Sequence, residues 1–285
     1  MNKQTIKRLF WSSRPVSWVN TAFPFAASYF VATGHFSTTL IIGTLYFLIP
    51  YNLLMYGIND VFDYESDLRN PRKAGLQGVV LEKALHKTTI WAALLLNAPF
   101  ILYLFLRGSA AANAILLYVL FMVIAYSAPY LRFKERAIID SFTSATHFVG
   151  PMLYGFVLAD WDARYMIFVV SFFAWGMASH AFGAVQDIIP DRKAKIASIA
   201  TYLGASWTVR LSVVLYLLAV ELLLFQGLAP AIVGLFGLLY VVNIIPFWNL
   251  TDKHSAQATE GWKRFMRLNY LVGFVITLLL IRAQL

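Results

Sequence analysis

The 285-residue chain contains no cysteine, which excludes disulfides, thiolate metal sites and cysteine nucleophiles. It is also poor in charge. Only 13% of its residues are charged, about half the fraction usual in soluble domains, whereas 60% are hydrophobic. Mean hydropathy is +0.66. A chain with so little charge is better suited to a lipid bilayer than to water. The net charge of +9 would ordinarily raise nucleic acid as a partner. Here the basic residues are spread between apolar runs, so membrane topology explains them better and no nucleic-acid partner is expected.

A membrane-spanning helix needs about 20 mostly apolar residues. Nine segments qualify approximately, at 16–33, 38–58, 88–106, 109–127, 138–158, 165–186, 204–225, 228–249 and 264–282. The expected fold is therefore all-α: a polytopic membrane bundle of about nine transmembrane helices with cytoplasmic capping loops, forming one domain over residues 1–285. Pro24, Pro50, Pro99 and Pro151 fall inside spans, where they should kink the helices. Tight turns are expected at Arg107-Gly108-Ser109 and Gln226-Gly227. Lys3, Lys7, Arg8 and Arg14 precede the first apolar run, which leads into further spans and reads as a retained helix, not a cleaved signal. With nine spans, all of the 23 lysines and arginines except Arg107, Arg164 and Arg282 fall on one side. Such a bias marks that side as cytoplasmic.

The second span closes in Asn59-Asp60-Val61-Phe62-Asp63-Tyr64-Glu65-Ser66-Asp67. If the helix continues, Asp60, Asp63 and Asp67 share a face within about 60°, and Glu65 points elsewhere. The sixth span closes in Gln186-Asp187-Ile188-Ile189-Pro190-Asp191, with Asp187 and Asp191 one turn apart; Pro190 is expected to end the regular helix there. Carboxylates at these spacings repel one another. A hard divalent cation offsets that repulsion, and magnesium in particular shares its coordination sphere with substrate phosphates. Two such clusters, each preceded by an amide and followed by bases, point to magnesium ions held around a diphosphate. Arg69, Arg72 and Lys73, then Arg132 and Lys134, then Arg192, Lys193 and Lys195 are placed to meet phosphate oxygens.

Asn59-Asp60-x-x-Asp63-x-x-x-Asp67 resembles the first signature of the UbiA-type intramembrane prenyltransferases, and Asp187-x-x-x-Asp191 resembles the second. Arg14-Pro15 before the first span and Tyr126-Ser127-x-x-x-Leu131-Arg132-x-Lys134 after the fourth extend the likeness. Within the family the chain is most similar to bacterial lycopene elongases, through Ser12–Asn20, Met55–Asp67, Ala125–Arg136 and Trp175–Asp187. The resemblance implies a magnesium-dependent prenyltransferase in the plasma membrane of a prokaryote, with its active site facing the cytoplasm. It implies dimethylallyl diphosphate as donor and a lipid-soluble acceptor such as lycopene, met among membrane lipids. Asn59, Asp60, Asp63, Asp67, Asp187 and Asp191 become the magnesium and diphosphate site, with Arg72 and Lys134 as diphosphate contacts.

Such chemistry forms carbocations, which aromatic faces can shield. Trp18, Tyr56, Phe148, Phe172 and Trp175 are candidates. A proton must leave late in the reaction, and His180 and His147 are candidate acceptors. His180 lies seven residues before Asp187, about 10 Å deeper by helical rise; the alternative for each is a neutral histidine bonded to a neighbouring helix. Asn52, seven residues before Asn59, and Tyr56 continue a polar stripe from the motif, either lining the cavity or joining helices. The 68–87 loop is expected to cap the site. Other readings remain open: a quinone-precursor aromatic acid as acceptor, with Arg14 on its carboxylate, a transporter, or a non-catalytic partner in a carotenoid pathway.

Overall fold

The computed structural model describes residues 2–68 and 80–283. Every regular element among them is helical. The chain divides into two compact units, Met1–Phe133 with Gly150–Trp161, and Lys134–Val149 with Asp162–Leu285.

The first unit begins with the amphipathic helix α1 (Lys3–Ser12), capped by Asn2, whose side chain accepts from the Thr5 N–H at 2.8 Å. It continues through α2 (Val19–Thr33), α3 (Thr38–Leu48), α4 (Pro50–Phe62), α5 (Tyr64–Asp67), α6 (His86–Arg107) and α7 (Ala110–Ser127). Helix α8 (Ile139–Ala159) belongs to this unit from Gly150 onward. Helices α2, α6 and α8 run unbroken through Pro24, Pro99 and Pro151. Pro50 instead separates α3 from α4, because it brings no N–H to the preceding turn. Side chains answer the carbonyls left there. Asn52 Nδ2 donates to the carbonyls of Phe47 and Leu48, at 2.8 and 3.1 Å, and to Thr21 Oγ1 at 2.7 Å. Asn97 Nδ2 donates to the Pro50 carbonyl at 2.7 Å. Asn52 is fully buried, and these bonds join α4 to α2 and to the end of α3.

Helices in lipid associate through close packing, which favours small residues at their contacts. Gly43 faces the Phe25 ring, and a Cβ there would overlap it. Gly155 lies against Ser28 and the Phe25 carbonyl, Gly150 against Val119. Phe25, Phe47, Tyr51 and Tyr154 form the adjoining aromatic core, with Phe47 5.1 Å from both Phe25 and Tyr51.

The second unit takes the first part of α8, then α9 (Met166–Val185), α10 (Ile188–Lys193), α11 (Ile199–Leu203), α12 (Ala205–Leu224), α13 (Leu228–Ile244) and α14 (Ala258–Arg282). Helix α12 packs on α9 and α13. Ser171 Oγ donates to the Ala219 carbonyl at 2.8 Å, and Ser179 bonds the Tyr216 hydroxyl at 3.0 Å. Trp175, Tyr240, Phe265 and Trp262 form a continuous aromatic stack. The tight turn expected at Gln226-Gly227 is present, and Gly227 adopts φ +104°, a conformation that favours glycine.

Seven helical runs among the described residues are long and apolar enough to cross a membrane. The expected spans at 16–33 and 138–158 fall outside those seven. Helix α2 is only 15 residues long, and α8 carries Asp140, His147 and Pro151 among its apolar residues. If Asn52 serves the break at Pro50, Asn52→Leu should destabilise the protein by about 1–3 kcal/mol. Its thermal midpoint in detergent should fall; a midpoint equal to wild type would show that Asn52 does not hold the break together.

Candidate active site

The first acidic motif straddles the end of α4. Phe62 closes the helix and Asp63 caps it at φ −97°, ψ 1°, its N–H still bonded to the Asn59 carbonyl at 2.9 Å. Helix α5 resumes at Tyr64, so the chain stays close to helical and Asp60 and Asp63 remain one turn apart. Glu65 is exposed and pairs with Lys83 at 2.7 Å, away from the aspartate face as its position predicts.

Asp60 is almost wholly buried at 1% exposure. Arg14 Nη2 donates to Oδ1 at 2.6 Å and Ser12 Oγ donates to Oδ2 at 2.8 Å. Gly57, one turn before Asp60, packs closely on α6, where a Cβ would stand 3.1 Å from Thr89 Cγ2. The Arg14 guanidinium also lies over Tyr56, 4.9 Å from the ring centroid. Asp63 is buried as well, and Arg132 Nη2 approaches Oδ1 at 3.8 Å. Both arginines occupy left-handed backbone, at φ +54° for Arg14 and +39° for Arg132. Such conformations persist in non-glycine residues only where the surroundings fix them, and they concentrate at functional sites.

The second motif lies in the second unit. Helix α9 ends at Val185, and Asp187 forms the N-cap of α10. The Asp191 N–H bonds the Asp187 carbonyl at 2.8 Å, so these two carboxylates stand one turn apart as expected. The expectation for Pro190 is corrected. The break precedes it, at Gln186-Asp187, and Pro190 sits in the first turn of α10, where a missing N–H leaves no bond unmade. Asp191 Oδ2 accepts from Ser198 Oγ at 3.2 Å. Arg192, expected on phosphate, pairs with Asp252 at 2.7 Å and donates to the Thr201 carbonyl at 3.2 Å. Lys193 and Lys195 are exposed.

His180 Nδ1 bonds Ser141 Oγ on α8 at 2.9 Å, the neighbouring-helix arrangement named above for the histidines. His147 is buried on α8. Lys134 is half-buried in the 3₁₀ turn Phe133–Glu135, and Trp175 lies in the aromatic stack of the second unit. Arg69, Arg72, Lys73, most of the expected capping loop and the Asp67 side chain lie outside the described residues. Ser12, Ser198 and Asp140, which the structure ties to these motifs or beside them, carry no spacing signature that the sequence could reveal.

Among the described residues no three His, Asp or Glu side chains converge as a metal cage. Magnesium does not require one: it binds through one or two carboxylates, retains waters and shares substrate phosphates. Asn59 Oδ1 and Gln186 Oε1 are both buried and have no hydrogen-bond partner among the described residues. An unsatisfied buried acceptor costs about 1–3 kcal/mol, and a hard cation would relieve it. Each of these amide oxygens accompanies one acidic motif, so the residues present fit magnesium.

The sequence matches the UbiA prenyltransferase family over residues 21–271. Over 280 residues it is 50% identical to a lycopene elongase/hydratase of Corynebacterium glutamicum, covering 98% of this chain and 98% of that one. It is 31% identical to a lycopene elongase/hydratase of Haloarcula japonica, over 94% of this chain and 88% of the relative. Its fold is shared by a UbiA homologue from Archaeoglobus fulgidus solved with DMAPP and Mg2+, at a TM-score of 0.70 and 18% identity, covering 94% and 99% of the two chains.

Removing one partner of a buried ion pair leaves an uncompensated charge, at about 3–5 kcal/mol. Arg14→Ala should therefore lower the thermal midpoint in magnesium-free detergent, and adding Asp60→Asn should restore much of the loss. Equal melting of the single and double variants would show that the Arg14–Asp60 pair does not hold this region together.

Proposed function

We propose that this chain, which belongs to the UbiA prenyltransferase family, transfers a dimethylallyl group from its diphosphate to the end of a linear carotenoid such as lycopene, giving C45 and C50 products. Its activity as a membrane prenyltransferase follows from the family. The observation that carries the acceptor is the 50% identity, over 98% of both chains, to a lycopene elongase/hydratase. The two acidic motifs act together in this reading, making residues 1–285 one functional domain. The positive-inside bias supports an active site facing the cytoplasm, and the proposed membrane is the plasma membrane of a prokaryote.

Asp60, Asp63, Asp67, Asp187 and Asp191 would hold magnesium, with Asn59 and Gln186 as neutral oxygen donors. When bound, the metal supplies positive charge against the departing diphosphate. Arg132 and Lys134, with Arg72 and Lys73, bind phosphate oxygens and orient the donor. The allylic C–O bond breaks and its electron pair leaves with the diphosphate. The terminal alkene of the acceptor then closes the new C–C bond. The tertiary cation that results gives up a proton, or takes up water, the second outcome being in keeping with the hydratase in the relatives' name. His180 and His147 are the proposed proton acceptors; Ser141 fixes the His180 ring through Nδ1. Tyr56 and Trp175 present aromatic faces to the substrate.

One observation bears on the aromatic-acid reading. Arg14, the residue proposed to meet such an acceptor's carboxylate, is already paired with buried Asp60 at 2.6 Å. This favours an uncharged acceptor. Family membership sets the transporter aside.

Expressed in a lycopene-making host, the protein should convert lycopene to C45 and C50 carotenoids, and Asp63→Ala should reduce them at least ~100-fold. In isolated membranes, chelation should abolish turnover and magnesium should restore it. Prenylation of hydroxybenzoate with lycopene untouched would overturn the acceptor. Full activity of Asp63→Ala would overturn the site.

A further inference from the structure

The second acidic motif is held by residues that the proposed reaction does not itself employ. Asp140, in the first turn of α8, is fully buried, and its Oδ2 accepts from the Ile199 N–H at 2.8 Å. That bond fixes the corner at Ser198-Ile199, where α11 begins. Ser198 caps α11, accepting from the Thr201 N–H at 3.3 Å, and is 5% exposed. Its hydroxyl donates to Asp191 Oδ2 at 3.2 Å. The intervening chain is folded back to allow the contact. Lys195 takes the left-handed conformation at φ +59°, and the Ile196 N–H returns to the Asp191 carbonyl at 2.9 Å. Arg192 is fastened at the same time to Asp252 and to the Thr201 carbonyl in the middle of α11. Asp252 in turn accepts from the Ala205 N–H at 2.7 Å.

We propose that Ser198, anchored through Ile199 by Asp140, is a positioning residue that sets the rotation of the Asp191 carboxylate for magnesium. A carboxylate on a six-residue helix can turn about its own side-chain bonds, and a neutral donor on one oxygen narrows that freedom. Hydrogen bonds to ligating carboxylates commonly change metal affinity by 10–100-fold. Ser198 donates a neutral hydroxyl and so does not oppose the incoming charge, unlike a lysine or arginine at the same place. Asp140 acts at one remove, by keeping the Ser198 corner in register with α10.

This inference rests on the reading of Asp191 as a magnesium ligand, and the experiment separates the two. Two readouts are taken across a magnesium titration of the full chain: the magnesium-induced rise in thermal midpoint in detergent without substrate, whose midpoint should shift as the activity midpoint does, and product formation from dimethylallyl diphosphate and lycopene in membranes. Ser198→Ala should raise the magnesium concentration for half-maximal activity about tenfold, with kcat at saturating magnesium within about twofold of wild type. Ser198→Thr, which keeps the hydroxyl and the cap, should restore the wild-type midpoint. Asp140→Ala should shift it in the same direction. A Ser198→Ala midpoint equal to wild type, beside an Asp191→Ala variant that requires far more magnesium, would overturn the positioning role alone. So would a loss of kcat at every magnesium concentration that tracks a lower thermal midpoint. An Asp191→Ala variant with the wild-type magnesium dependence would overturn the underlying assignment.

Discussion

A carboxylate buried in a chain that is mostly apolar must be answered by a cation or by hydrogen-bond donors within reach, and this requirement organises the first unit. Asp60 is answered by Arg14 and Ser12, which come from the end of α1 and the residues just after it. The left-handed turn at Arg14 and the stacking of Arg14 on Tyr56 both serve that single meeting. Ser12 contributes a donor without charge, and Arg14 a full positive charge. A cation arriving near Asp60 therefore meets a carboxylate already held in place by a bond to each oxygen. The pairing keeps the site folded before any ion arrives, at the expense of some competition with the ion.

The same requirement governs the backbone. Pro50 breaks a long apolar run ten residues before Asp60, and lipid offers no donor to the carbonyls this leaves. Asn52, Thr21 and Asn97 supply donors from three helices. The break thus ties α2, α4 and α6 together where an unbroken helix would need no such bonds. Small residues do the rest: Gly43, Gly150 and Gly155 let the neighbouring helices of the first unit approach until side chain meets backbone. Rigidity gained this way reaches the motif directly, because α4 carries it at its last turn.

The sequence revealed what depends on periodicity and composition, and missed what depends on partners distant along the chain. Apolar runs located the long helices, and the i, i+3 spacing placed Asp60 and Asp63 one turn apart, with Glu65 turned away. Hydropathy alone could not say on which side of Pro50 and Pro190 the helices break. Each break precedes its proline, which then sits in the first turn of the following helix, where proline is well tolerated. Asn52 showed as part of a polar stripe, but a stripe does not say whether it meets a ligand or a neighbouring helix. Ser12 lies 48 residues from Asp60, and the chain between Asp191 and Ser198 reverses through a left-handed lysine. Neither pairing has a spacing that a linear reading could detect, and Asp140 looks like any carboxylate at a helix start.

The disposition of the arginines carries the argument about the acceptor one step further. Recognising an anionic acceptor needs a guanidinium whose forked donors are available to a carboxylate. Arg14 is paired with Asp60, and Arg192 with Asp252. Arg264 donates to Asn243 at 2.8 Å and lies over Phe247, while Arg210 lies over Trp207 and Trp248 and donates to Asn249. Arg132 faces Asp63, where a diphosphate would need it. Each of these charges already serves the protein's own carboxylates, amides or aromatic rings. For any of these five arginines, taking on an acidic acceptor would mean breaking an existing contact, whereas a hydrocarbon acceptor needs only apolar and aromatic surface. A chain with 16% aromatic residues has that surface in abundance, and this balance of committed charge against abundant aromatic surface fits a polyene better than an aromatic acid.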